Sequence, residues 1–180
     1  MRKLFKIYFV IAIATIFLTG CDKVNDLNTV DFDATFSGDL DCATAGAKSN
    51  LLVPTFGGSA EIVPTEDPNV NIYLNNIQKY EIQSVKATIT SMSQENVTVT
   101  TAYLLIKNFQ YQAQWDFLNE LLTTGKTITL GNENGQWDTV ADILKDGQEF
   151  TVLITGEADF SGVTFTIKVD IETKVTAKVI

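Results

Sequence analysis

Asp31, Asp33, Asp39 and Asp41 are four carboxylates at odd positions within eleven residues. Side chains alternate faces along a strand, so Asp31 and Asp33 share one strand face. Asp39 and Asp41 are expected in a loop that follows. Carboxylates grouped this way could bind Ca²⁺, which takes six to eight oxygens, or hydrolyse a glycosidic bond as an acid pair. The ligand spacing of an EF-hand is absent, and nothing nearby in sequence supplies a third type of ligand. The expectation is therefore a solvated acidic face, neither a cation cage nor a catalytic pair. Gly131-Asn132-Glu133-Asn134-Gly135 is a second oxygen-rich stretch and reads as a polar turn.

The chain has no histidine and two cysteines. That composition removes Ser-His-Asp and Cys-His catalysis and all imidazole metal sites. No Gly-rich phosphate loop lies between a strand and a helix. No catalytic residue, metal ligand or cofactor is assigned, and the chain is expected to be a non-enzyme. Aromatic rings leave a binding hypothesis. Tyr73, Tyr80, Tyr103, Tyr111, Trp115 and Trp137 could form a stacking platform for sugars, because such rings are flat, rigid and amphipathic. Trp115 and Trp137 stand beside apolar residues and are expected in the core. Asn96-Val97-Thr98 fits an N-glycan sequon.

The N-terminus has three zones. Arg2, Lys3 and Lys6 are basic, Ile7–Leu18 is apolar, and Leu18-Thr19-Gly20-Cys21 closes the run. An apolar stretch of 12 residues is short for a span, which needs about 20, and has the anatomy of a secretory signal. Leu18-Thr19-Gly20-Cys21 resembles the lipobox of bacterial lipoproteins. The resemblance implies that residues 1–20 are removed, that Cys21 is acylated, and that its lipid is the membrane anchor. Two or three acyl chains hold a protein stably where one does not. Residues 21–29 would then form the lipidated cysteine and tether, and 30–180 a single domain. Asp22 and Asp26, with Lys23 between, partly match the acidic export signal of Bacteroidota-type lipoproteins. The location implied is the cell envelope, with the outer membrane favoured.

The first twenty residues hold three of the 13 basic residues and none of the 22 acidic ones, so residues 21–180 carry a formal charge of −12. Such a chain is unsuited to nucleic acid or to anionic lipid surfaces. Once Cys21 is acylated, Cys42 has no partner for an intrachain disulfide and is expected as a small buried apolar residue.

The elements follow from periodicity. From Val163 to Val179 the odd positions are apolar except Thr173 and the even ones polar, the pattern of an antiparallel strand with one wet face. A bend or bulge is expected near Thr173. Phe150, Val152 and Ile154 alternate likewise, and Asp159–Gly162 is expected to join the two runs as a hairpin. Val30–Phe36 and Val85–Ile89 are one-sided strands, and Val97–Lys107, apolar on both faces towards its end, is a central one. Leu51–Thr55, Ala60–Val63 and Thr127–Leu130 are shorter candidates. Helices are expected after Asp67-Pro68, carrying Val70, Tyr73, Leu74 and Ile77, and after Asp138, stopping at Gly147. A third is expected over 114–123, bearing Trp115, Leu118 and Leu122. The fold class expected is mainly β, an antiparallel two-sheet sandwich of Ig-like architecture with short helices in its connections.

The layout as a whole resembles the small β-sandwich lipoproteins of Bacteroidota-type envelopes: a lipobox, an acidic tether, Asp31-Phe32-Asp33 in the first strand and a long alternating last strand. Asp138-Thr139-Val140 is similar to the O-glycosylation acceptor of those envelopes. The resemblance implies a non-enzymatic envelope module that binds a glycan or a protein partner. The alternative is a structural component of an envelope assembly that docks through exposed strands.

Overall fold

The alternating C-terminal run is one long strand, and the rest of the fold is arranged around it. The computed structural model describes residues 28–45 and 53–179. Cys21 and most of the expected tether, as well as Leu51 and Leu52, lie outside the described residues. In chain order the strands are β1 (Thr29–Thr44), β2 (Thr55–Ile62), β3 (Ile77–Met92), β4 (Val97–Lys107), β5 (Gln112–Leu122), β6 (Thr127–Thr129), β7 (Phe150–Ala158) and β8 (Thr164–Lys178). Two helices interrupt them, α1 (Pro68–Tyr73) and α2 (Gln136–Lys145).

All neighbours are antiparallel, in the order β5-β4-β7-β2-β1-β8-β3-β6. A mainly β, antiparallel chain with short helices is what the alternation predicts. The hydrogen bonding differs from the expected two sheets, because it runs through one continuous sheet. The link is the end of β1, where Ala43 and Thr44 pair with Gly57 and Phe56 of β2. Otherwise β1 pairs with β8, from Thr29↔Lys178 to Ala43↔Thr164. Beyond its two rungs β2 crosses the inner face of β1, where a Cβ on Gly38 would lie 3.1 Å from that of Ala60.

The order forces the sheet to curl. β5 and β6 are its first and last strands, yet only residues 123–126 separate them. A flat sheet would hold them about 34 Å apart, at ~4.8 Å per strand, while the connection reaches about 18 Å at most. The two edges therefore come round towards each other. Helix α2 packs on both β3 and β5 and buries Val140, Ile143 and Leu144 between them. Inside the curl the inward residues form one core, with Phe56 of β2 against Phe165 of β8 at 5.2 Å between ring centroids.

Several local expectations are corrected. Residues 114–123 form β5, not a helix. Ala113, Trp115 and Phe117 face inward, then Leu122 does, while Leu118 is 71% exposed. The face switches at Asn119, whose φ is +52°. In β4 it switches at the same level, from Val97 and Val99 to Ala102, Leu104 and Ile106. An interrupted period of two imitated a period near four. Residues 159–162 form no hairpin, because β7 pairs with β2 and β4 and β8 with β1 and β3. They cross between the halves of the sheet, tied at Asp159, which accepts from the Thr98 N–H at 2.8 Å.

The irregularity near Thr173 is real but sits on the neighbouring strand. The β3–β8 register shifts between Ile82 and Ser84, opposite Thr173 and Glu172, while β8 pairs with β1 without interruption. Thr173 keeps its place in the core because its hydroxyl donates to the Ala34 carbonyl at 3.1 Å. Asp67 caps α1, accepting from the Asn69 and Val70 N–H groups, but Ile77 already begins β3. Gly135, not Asp138, is the N-cap of α2, and Asp138 lies in its first turn. Of the candidate Leu51–Thr55 only Thr55 is strand among the described residues, where it begins β2; β2 ends at Ile62 and so takes in most of the candidate Ala60–Val63.

Candidate functional site

The curl leaves two outward faces of different chemistry. On the face formed by β1, β8 and β3, all four predicted aspartates are exposed. Asp39 and Asp41 lie in β1 itself rather than in a loop, so the same alternation places all four on one face. Part of this face is paired internally. Asp31 accepts from the Thr176 hydroxyl at 2.8 Å and pairs with Lys174 at 3.0 Å. Those two contacts, the hydroxyl first, hold its carboxyl below the ordinary range. Asp41 accepts from Thr166 at 2.8 Å, Asp170 pairs with Lys168 at 2.9 Å, and Glu172 pairs with Lys86 at 3.0 Å.

Among the described residues no group of three or more His, Cys, Asp or Glu side chains is placed to hold a metal. Calorimetric titration should find no micromolar Ca²⁺ site on this face, because adjacent carboxylates without further oxygens hold the ion weakly. A rise in thermal midpoint with Ca²⁺ that disappears in Asp31→Asn/Asp33→Asn would contradict this. The 131–135 loop spends its oxygens internally. Gly131 and Asn132 accept from Trp115 Nε1 at 2.7 Å and the Trp137 N–H at 2.8 Å.

The opposite face comprises the outward residues of β5, β4, β7 and β2. The register sets them in cross-strand rows. One row is Asp116, Tyr103, Thr155 and Gly57. Another is Gln114, Leu105, Leu153 and Ser59, and a third is Gln112, Lys107, Thr151 and Glu61. Tyr103 is 39% exposed and stands beside a cleft of about 530 Å³, with Asp116, Thr155 and Glu157 in its walls. Gly57 adds no side chain to the row, which leaves the Thr155 end open.

A second cleft, of about 520 Å³, is lined by Lys107 together with Glu61, Glu149, Gln148 and Phe109. Phe109 is fully exposed at the tip of the β4–β5 hairpin. Asn108 holds it there, because its side-chain carbonyl accepts from the Gln110 and Tyr111 N–H groups at 2.9 and 2.8 Å. A hydrogen bond shared with Glu61, and the repulsion of its charge, raise the Glu149 carboxyl above its ordinary range.

The six aromatic residues proposed as a platform do not assemble. Trp115 is buried and Trp137 half-buried, its Nε1 donating to the Leu130 carbonyl at 2.9 Å. Tyr80 is buried against Phe36, and burial, then the Asp67 charge, push its hydroxyl up to about 12. Tyr73 packs on Phe32. Tyr103 and Tyr111 remain exposed, and Phe109, which the pattern did not single out, joins them. Its signal was an apolar residue inside a turn, where burial cannot explain it.

Cys42 is buried, and desolvation, with the Asp41 charge adding to it, pushes its thiol up to about 12. It stays protonated and is no nucleophile. Thr139 of the acceptor-like triplet sits in α2 with its hydroxyl donating to the Gly135 carbonyl at 3.2 Å. Among the described residues no helix is long and apolar enough to cross a membrane.

No protein-family model and no curated protein matches the sequence. Similar solved structures are viral. The decameric BFDV capsid protein shares 8% identity, with 81% of this chain and 99% of that chain covered, at a TM-score of 0.42. A chain of the Turnip Yellow Mosaic Virus structure shares 13%, with 84% and 96% covered, at 0.37. A chain of the Mud crab tombus-like virus shares 10%, with 83% and 80% covered, at 0.37. At scores this low the likeness bears on neither function nor assembly.

Proposed function

We propose that the chain is a non-enzymatic lipoprotein of the cell envelope whose outward face around Tyr103 binds a glycan. The observation that carries the reading is the Tyr103 cleft, an exposed ring with hydroxyl and carboxylate side chains around it on the sheet. Ring faces stack on sugars, and polar neighbours orient the hydroxyls. The two halves of the sheet act as facing layers, sandwich-fashion, with the binding side chains on the outside of one.

In affinity electrophoresis through gels containing envelope polysaccharides, the protein should be retarded. Tyr103→Ala should weaken that retardation about tenfold, the scale of one aromatic contact. Thr35→Ala on the opposite face should leave it intact. Equal retardation of Tyr103→Ala and the unchanged protein would exclude this face.

Anchoring rests on Cys21. Cys21→Ser should give an uncut precursor without lipid. A variant with the mature mass and membrane fraction of the unchanged protein would refute the lipobox reading. One feature favours the second reading, a structural component of an envelope assembly: Leu118 and Leu121 are 71% and 46% exposed on the edge strand β5. Such an edge is a docking surface for a protein partner.

A further inference from the structure

The lysines of the two outward faces are segregated, while acids stand on both: Asp31, Asp33, Asp39, Asp41, Glu81, Asp170 and Glu172 lie on β1, β3 and β8. Lys79, Lys86, Lys168, Lys174 and Lys178 all lie on the strands β3 and β8, and four of them are in ion pairs. On the Tyr103 face Lys107 is the one basic residue of the rows, against Asp116, Glu157, Glu61 and the adjoining Glu149. Among the described residues none of these four acids is in an ion pair. Each cleft places an exposed ring beside two of them: Tyr103 with Asp116 and Glu157, where no basic residue lines the wall, and Phe109 with Glu61 and Glu149, where Lys107 also lines it. From the Tyr103 row to the Lys107 row is four residues of strand, about 14 Å, so one extended ligand can reach from the first cleft towards the second.

We infer that the glycan bound by this face carries free amines, each ammonium lying between an aromatic ring and the carboxylates beside it. The inference rests on the glycan reading given above and adds the ligand's charge. An ammonium over a ring is attracted by its electron-rich face, and the two carboxylates add to that attraction. It would also relieve the repulsion between Glu61 and Glu149. A uronate polymer would meet only like charge.

A cationic peptide satisfies the same charges but fits the place less well. Extended peptides add to sheet edges, and near Asp116 the β5 edge is partly occupied at Gln114, though open further along at Leu118 and Leu121. Trp115 and Gln136 tie the 131–136 segment to the occupied part, through Trp115 Nε1 to the Gly131 carbonyl and Gln136 Nε2 to that of Gln114. What the face offers instead is polar side chains without an internal hydrogen bond, Gln112, Ser59 and Thr151 among them, which suit a hydroxyl-rich ligand.

The test uses the whole protein in detergent at about pH 5.5, where ordinary carboxylates remain ionised and sugar amines are protonated. The probes, titrated by calorimetry, are a glucosamine hexamer, its fully N-acetylated counterpart, a uronic acid oligomer and hexalysine. The glucosamine hexamer should bind about tenfold more tightly than the acetylated one, the scale of two exposed charge contacts with a ring. Added salt should abolish the difference, and Asp116→Asn/Glu157→Gln, which leaves the Phe109 cleft unchanged, should reduce it to about threefold. The uronate should not bind.

Equal binding of the acetylated and free hexamers overturns the amine inference and leaves the glycan reading standing. Binding of hexalysine as tight as the amine sugar, also weakened in Asp116→Asn/Glu157→Gln, overturns it in favour of a peptide. Failure of both hexamers overturns it as well, and the polysaccharide gels then decide separately whether the face binds any glycan.

Discussion

Replacing Phe165 with alanine is expected to lower stability by about 3–5 kcal/mol, the usual cost of removing a large buried ring and leaving a cavity. Phe165 is 2% exposed. It lies on β8 between Cys42 of β1 and Met92 of β3, and its ring meets Phe56 of β2 edge-on across the curl. Its loss therefore opens a gap where the two halves of the sheet meet. Lys168, three residues along, faces outward and among the described residues pairs with Asp170 alone, at the surface. Lys168→Ala should stay within about 0.5 kcal/mol. Urea midpoints at unchanged slope measure both. Equal losses would contradict the assignment of inner and outer faces along β8.

Gly156→Val should cost at least as much, through crowding instead of a void. A Cβ at Gly156 would lie 2.4 Å from the Thr101 carbonyl oxygen and 2.6 Å from the Ala102 Cβ. Two of the three nearest atoms are backbone, so no rotamer change relieves the contact. The β4–β7 ladder must separate where its register already shifts between Val99 and Thr101. Overpacking costs about 1–3 kcal/mol when side chains can yield, and more when they cannot. Gly57→Ala is the control, because a Cβ there meets the Ile154 carbonyl at an ordinary 3.5 Å. That change should be neutral or slightly stabilising, since alanine restricts the unfolded chain more than glycine. Thermal melts that fall equally for both variants would contradict the close approach of β4 and β7.

The strands whose alternation runs uninterrupted were legible from the sequence. β8 shows its two faces residue by residue; β4 was delimited at Val97–Lys107 despite its switch near Thr100, and it has a strand on each side, β5 and β7, while its outward face is open at Tyr103. The reading failed where alternation breaks. Asn119 turns β5 through a left-handed residue and Thr100 lies level with it in β4, so Trp115, Leu118 and Leu122 took on helical spacing. It failed also at the 159–162 connection, because proximity in sequence favours a hairpin and only the pairing of β1 with β8 excludes one. A single sheet was not legible, since two rungs at Ala43 and Thr44 decide it.

The site was less legible than the fold. Two of the four aspartates chosen for their spacing, Asp31 and Asp41, are held by a lysine and hydroxyls of β8, partners over a hundred residues away. Tyr103 was among the six rings proposed, but its separation from the others depends on which strand face each occupies. Glu61 and Glu149 gave no signal, because a pair brought together by the β2–β7 pairing is invisible to local patterns.

Backbone amide shift mapping on the uniformly ¹⁵N-labelled whole protein in detergent, titrated with envelope polysaccharide from the cells that make it, asks directly which face binds. Changes confined to the outward rows of β4, β5, β7 and β2, centred on Tyr103, Asp116 and Thr155, are the expected result. Changes confined to β1, β8 and β3, or none at saturating polysaccharide, would contradict the assignment of this face as a glycan-binding surface.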